Sequence, residues 1–250
     1  MDTMRDRLLG VVLLFATLLL PDRAPAMEFT NVPFSGKRFV VCRVNVRTER
    51  LQLFLRDDAG QLLKSFEGVD RWLRPSGRRL AFAMNAGIYQ PDGSPLGLFV
   101  SEGQQVTPLN ITNGYGNFYL KPNGVFLVSD TGARIAESLD YPHVQERVIL
   151  ATQSGPLLLR GGKIHPAFKA GSQSLFIRNG VGLSSPEVAV FAISEAPVSF
   201  YEFATLFRDV LHCADALYLD GAICSLHSIQ LKRSDHKAEL GPIIGITEGL

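Results

Sequence analysis

The stretch "SFYEFATLFRDVLHCADALYLDG", Ser199–Gly221, decides the fold, because a helix and a strand can be read end to end within it. Ser199 and Glu202 stand three apart. At that spacing a serine hydroxyl and a glutamate carboxylate satisfy each other's orphan backbone donors at a helix start. Phe200, Phe203, Ala204, Phe207, Val210 and Leu211 then recur at helical spacing and form one apolar face. The pattern predicts a helix from near Ser199 to near Cys213. The run Leu217–Leu219 predicts a buried strand, which ends on a carboxylate, Asp220, with Gly221 directly after it. Such an acid is either a turn aspartate bonded to the backbone beyond it or the residue around which a site is built.

Working outward, "EVAVFAIS" (Glu187–Ser194) reads as another buried strand, so Glu187 to Asp220 form a βαβ-like unit. Most of the remaining chain is a succession of short β-type runs separated by Gly, Pro, Asn and Asp. "RFVVCRVNV" (Arg38–Val46) and "RLQLFL" (Arg50–Leu55) read as a paired hairpin, and "RLAFAM" (Arg79–Met84) as a central strand apolar on both faces. "GVFLVSD" (Gly124–Asp130) lies between two turn signals, and "GPLLLRGGKI" (Gly155–Ile164) carries its own Gly-Gly turn. No internal repeat, low-complexity tract or long linker divides the chain. The expectation is one α+β (mixed α/β) domain over residues 27–250, with mixed β-sheets flanked by a few helices.

The 250 residues are 46% hydrophobic and 20% charged with a net charge of +1, which describes a globular chain. Without a gathered basic excess, nucleic acid is not an expected partner. Residues 1–26 differ from the rest. Arg5 and Arg7 precede an apolar run, Leu8–Leu20, and Ala24-Pro25-Ala26 fits a small-x-small cleavage site. The run is shorter than the roughly 17–25 residues that span a bilayer. It reads as a signal peptide, with a retained anchor as the competing reading. The mature chain is expected in the periplasm or secreted, with no membrane span after cleavage. Export permits disulfides, yet there are three cysteines. Cys213 and Cys224 flank an extended run that separates them, so Cys42 paired with one of the two, or no bridge, is expected.

Four stretches set glycines and polar residues directly against strands, where backbone amides can approach a ligand. They are "AMNAGIY" (Ala83–Tyr89), "TQSGPLL" (Thr152–Leu158), "IRNGVGLSS" (Ile177–Ser185) and "LYLDGAICS" (Leu217–Ser225). The five histidines show no H-x-x-x-H or H-E-x-x-H pairing, and no metal or cofactor is expected.

In this order the four stretches resemble the phosphodiester glycosidase family, through Asn85-Ala86-Gly87, Ser154-Gly155-Pro156, Arg178-Asn179-Gly180-Val181-Gly182, and Leu219-Asp220-Gly221 with Ser225. The likeness runs roughly from Arg38 to His227. The chain departs from the family pattern at Asn179, where threonine is usual, and in Ala222-Ile223-Cys224, which stands where the family's glycine run continues. The resemblance implies hydrolysis of a sugar-1-phosphodiester, a small glycosyl-phosphodiester or an envelope glycoconjugate. Chemistry agrees with it, because a phosphate leaving group relaxes the need for a second carboxylate as general acid and asks instead for a cationic clamp. Asp220 would act at the anomeric carbon, Arg178 would hold the phosphate, and Asn85 would orient the ligand. Gly87, Gln153, Ser154, Gly155, Asn179, Gly182, Gly221 and Ser225 are the candidate binding positions. The rival readings are a non-catalytic envelope module binding phosphorylated glycans or an exported protein, and cleavage at phosphorus.

Overall fold

The computed structural model describes residues 27–220 and 223–250, so the leader read at 1–26 and the candidate Gly221 lie outside the described residues. The chain is mostly β, arranged in three sheets. The first has seven strands in the order β1 (Met27–Phe34), β2 (Lys37–Asn45), β13 (Val188–Ser194), β12 (Asn179–Ser185), β14 (Asp215–Tyr218), β10 (Leu157–Arg160) and β11 (Lys163–Ile164). The second runs β16 (Arg233–Ser234), β15 (Leu226–Ser228), β4 (Arg78–Asn85), β17 (Ile243–Gly249) and β3 (Gln52–Phe54). The third runs β6 (Gln104–Thr107), β5 (Phe99–Ser101), β9 (Val148–Ser154), β7 (Gly124–Ser129) and β8 (Gly132–Glu137). Two short α-helices, α1 (Phe66–Leu73) and α2 (Phe200–Thr205), cover outer faces. The α+β expectation therefore holds loosely: helices are few, and every strand pairing among the described residues is antiparallel rather than mixed.

One phenylalanine from each sheet meets at the centre. Phe191 of β13 lies 5.3 Å from Phe82 of β4 and 6.0 Å from Phe126 of β7, all three fully buried. Tilted and edge-on ring contacts of this kind add to the large apolar area the rings bury. On the far side of the first sheet α2 packs through Phe203 and Ala204 against Phe39, Val41 and Val190. On the second sheet α1 packs Phe66, Val69 and Leu73 against Leu80, Ala83 and Ile243.

The predicted helix begins as expected. Ser199 Oγ accepts from Glu202 N at 3.1 Å while Glu202 carboxylate oxygen accepts from Ser199 N at 2.8 Å. After Thr205 the chain widens into a π-type turn over Leu206–Val210, and the left-handed residue His212 (φ 56°) ends it. The βαβ-like unit is split: β13 and β14 both pair antiparallel with β12, so they run parallel to each other with β12 between them. β12 can lie under the helix because it carries Gly182, where a Cβ would meet Phe207 at 2.7 Å and Cys213 Sγ at 2.8 Å.

The hairpin expected between Arg38–Val46 and Arg50–Leu55 does not form. β2 has both edges taken, by β1 and β13, and the second run contributes β3 to a different sheet, paired with β17. The two runs were adjacent in sequence, but no edge of β2 was free to pair. The Gly155–Ile164 hairpin and the central placing of Arg79–Met84 between β15 and β17 are observed.

Cys42, Cys213 and Cys224 are unpaired and buried. Burial pushes the thiols of Cys213 and Cys224 up to about 12 and that of Cys42 higher still. A thiol reagent at pH 8 should therefore leave the native protein unmodified and react with all three cysteines in denaturant. Loss of the Ser199 cap is expected to cost about 1 kcal/mol. Ser199→Ala should then lower the melting temperature by roughly 2–4 °C, read by calorimetry.

Candidate functional site

All three sheets run strands out at one place. β4 ends on Asn85, β9 ends on Ser154, β12 begins on Asn179, and β14 leads through Leu219 to Asp220. Every one of the four sequence stretches contributes to this junction. Asp220 is 5% exposed, so its carboxylate needs partners, since a buried charge without them is costly. Asn85 Nδ2 donates to Asp220 Oδ2 at 2.9 Å and to the Ile223 carbonyl at 2.8 Å, while Asn85 Oδ1 accepts from Ser225 N at 2.7 Å. Asn85 thereby ties the second sheet to the acid and to the backbone of Ile223 and Ser225. Its bonds orient the carboxylate, where the sequence reading had it orient the ligand.

The backbone around Asp220 is fixed from the other two sheets. Asn179 Oδ1 accepts from Asp220 N at 2.9 Å, and Ser154 Oγ donates to the Leu219 carbonyl at 2.5 Å. The Cys224 thiol donates to the Asp220 carbonyl at 3.0 Å and to the Ile177 carbonyl at 3.2 Å. Burial, and then the Asp220 charge, hold that thiol protonated, so it remains a donor. Asn179 Nδ2 is buried and finds no hydrogen-bond partner among the described residues. An amide donor left over beside the acid is a ready contact for a ligand oxygen.

Tyr89 is the site residue that the sequence reading passed over, although it closes the quoted "AMNAGIY". Its hydroxyl donates to the Glu239 carbonyl at 3.0 Å. Burial first, then the negative charges of Asp220 and Glu239, push its pKa up to about 12. Only the fold brings residues 89, 220 and 239 together, so no local spacing signals it.

Arg178 lies next to Asn179, and its guanidinium is turned into the protein at 1% exposure. Nε donates to the Val198 carbonyl at 2.8 Å, Nη2 to the Ser174 carbonyl at 3.0 Å, and Nη1 approaches Tyr218 OH at 3.5 Å. Its plane lies over the Phe200 ring, 3.6 Å from the centroid. Phe200 stacks in turn on Phe168 at 4.8 Å, and Phe168 on His165 at 4.7 Å. The cation is thus the inner end of a stacked column and approaches Tyr218, which stands two residues before Asp220 in the chain.

The other candidates sit at the junction as framework. Gln153 Nε2 donates to the Asn110 carbonyl and to Ser138 Oγ, and its Oε1 accepts from Leu98 N and Asn110 N. A Cβ at Gly87 would lie 2.2 Å from the Gln153 carbonyl oxygen, and one at Gly155 2.8 Å from the Phe118 carbonyl oxygen. Gly87 permits close approach to the end of β9, and Gly155 close approach to the helical turn at Asn117–Tyr119. Gly182 faces Phe207 of the π-type turn and Cys213 rather than Asp220, and Ser225 serves through its backbone N–H to Asn85. Among the described residues no group of three or more His, Cys, Asp or Glu side chains is placed to hold a metal ion.

A strand-end acid held by an asparagine where antiparallel sheets converge is thus the centre of this β scaffold. The phosphodiester glycosidase family profile matches residues 78–237, and the chain belongs to that family. An uncharacterised protein of Escherichia coli K12, YigE, is 35% identical over 184 residues, covering 74% of this chain and 72% of its own. The catalytic domain of zebrafish N-acetylglucosamine-1-phosphodiester alpha-N-acetylglucosaminidase, auto-inhibited by its pro-peptide, superposes with a TM-score of 0.62. It is 15% identical, and the match covers 90% of this chain and 84% of that one. A hypothetical protein from Synechocystis shares the fold at a TM-score of 0.53 and 16% identity, covering 88% of this chain and 61% of its own.

Replacing Asn85 by aspartate sets two carboxylates at hydrogen-bond distance, which cannot both stay ionised. One folded-state pKa must then rise above its unfolded value, so the penalty is full at neutral pH and fades as pH falls through that raised value. Urea melts of Asn85→Asp and the parent at pH 7 and pH 4.5 should show a stability gap that narrows at the lower pH.

Proposed function

We propose that the chain is an exported hydrolase that cleaves the glycosidic C–O bond of a sugar-1-phosphodiester, releasing the sugar and a phosphate monoester. The observation that carries this reading is the Asn85–Asp220 contact at the sheet junction, in a chain of the phosphodiester glycosidase family. Water supplies the oxygen that ends on the anomeric carbon, and its protons are shared between the sugar and the departing phosphate. Asp220, oriented by Asn85, acts at the anomeric carbon as nucleophile, base for water, or stabiliser of oxocarbenium charge. Asn179 Nδ2 is a donor for a substrate oxygen. Arg178 holds the phosphate once the Ser174 carbonyl yields its Nη2, because a phosphate oxygen carries negative charge and a carbonyl oxygen does not. Export and a periplasmic or secreted location rest on the leader-like residues 1–26, and the substrate is a glycosyl-phosphodiester or an envelope glycoconjugate. In the described residues no helix is long and apolar enough to cross a membrane.

The test is a panel of glycosyl-phosphodiesters assayed for free sugar, with isotopically labelled water. Label in the sugar identifies C–O cleavage, whereas label in the phosphate identifies attack at phosphorus and overturns the reading. Asp220→Asn should lose about 10²–10⁴-fold in turnover while the fold is kept. Arg178→Met should weaken phosphodiester use with the fold retained; an unfolded variant would make Arg178 structural. Affinity without any turnover, unchanged in Asp220→Asn, would mark a binding module instead.

A further inference from the structure

Away from Asp220, the second and third sheets leave a seam. β3 is an edge strand, paired with β17 on one side only. Its other side faces β5, from which Ser101 Oγ donates to the Leu53 carbonyl of β3 at 3.2 Å. A cavity of about 330 Å³ opens there, with Leu51, Leu53, Leu55, Phe99 and Trp72 in its walls. Val106 and Ile149 line it and are 58% and 41% exposed. The volume falls within the range of small-molecule sites. Apolar walls that open through exposed apolar side chains carry an unfavourable hydration that an apolar guest would relieve.

The rim is cationic. Arg50 and Arg56 border the cavity, and Arg71 and Arg78 border an adjoining depression that shares Gln52, Trp72 and Glu102 with it. Against these four cations stand Asp58 and Glu102. Glu102 pairs with Arg50 at 3.2 Å, but both side chains are mostly exposed, so the pair is weak and open to exchange. An apolar interior below a rim with excess positive charge matches a guest whose body is apolar and whose single polar end is an anion.

We propose that this seam binds an anionic amphiphile of the fatty-acyl carboxylate class, with its tail between β3 and β5 and its carboxylate at the arginine rim. Trp72 is the sole tryptophan, lies on the wall, and meets Phe54 edge-on at 6.3 Å, so its emission reports occupancy. The full chain is titrated with decanoate and with decanol, both below their aggregation limits. Saturable change is expected with decanoate, at about tenfold higher affinity than with decanol, the worth of one charge-assisted contact. Ile149→Glu should weaken decanoate about tenfold or more, since it places a charge in an apolar mouth. Arg50→Gln and Arg71→Gln should bring decanoate toward the affinity of decanol. Melting temperatures identify any variant that fails to fold, and calorimetric titration of Trp72→Phe checks binding without the fluorophore. Unsaturable signals, an Ile149→Glu variant that binds as the parent does, or decanol binding as tightly as decanoate would each overturn the proposal. The readout involves no turnover, so it stands or falls apart from the hydrolase reading.

Discussion

The contact of Phe191 with Phe82 and Phe126 is the constraint on which the rest of the molecule depends. Each ring comes from a different sheet, so burying one against the others fixes where all three sheets cross. Once β13, β4 and β7 are held at that point, the ends of their neighbours are no longer independent. Asn85 leaves β4, Ser154 leaves β9, and Leu219 and Asp220 leave β14 into the same small volume, close enough for two direct hydrogen bonds between sheets and a third from Asn179 within the first sheet. Side-chain bonds of about 1 kcal/mol each would not assemble such a junction. The ring contacts and the apolar area they bury assemble it, and the polar bonds then set the geometry of one acid.

Among the described residues, three neutral groups hold that acid. Asn85 donates to the carboxylate, and Asn179 and Cys224 hold its backbone through an amide oxygen and a thiol. Burial keeps the Cys224 thiol and the Tyr89 phenol protonated, and the nearby Asp220 charge reinforces both. These two neighbours thus remain uncharged, while positive charge nearby comes from Arg178, satisfied by carbonyls and an aromatic face, and from Lys237, whose Nζ donates to the Cys224 carbonyl at 3.1 Å. A carboxylate in such surroundings suits chemistry whose leaving group needs no proton, since that chemistry does not ask for a second carboxylate as general acid.

The sequence made some of this legible and hid the rest for physical reasons. The Ser199–Glu202 cap is local, so three residues suffice to read it. The four glycine-bearing stretches were readable because close approach of backbone demands glycine, and the clashes that a Cβ would make at Gly87 and Gly155 show that demand. The hairpin between Arg38–Val46 and Arg50–Leu55 failed because strand pairing depends on which edges are free. β13, which lies far along the chain, had already taken the edge of β2. Residue roles were less legible than residue positions. Asn85 was read toward a ligand and turns to Asp220, and Tyr89 acquires its place only through Glu239 and Gly241 at the other end of the chain.

Arg178 shows why position and role separate. A guanidinium at a strand start suggests an outward clamp, but this one lies flat on Phe200 with carbonyls at its Nε and Nη2. Two neutral acceptors and a ring face compensate a buried cation without neutralising it. The cation therefore keeps its attraction for an anion, and an incoming phosphate competes only with the Ser174 carbonyl for Nη2. Ser174 belongs to the segment that also carries Phe168 and His165, the outer rings of the stacked column. On the proposed reading, phosphate binding and displacement of that segment are one event. The stack on Phe200 holds the guanidinium plane in place throughout, so the acceptor changes while the cation does not move.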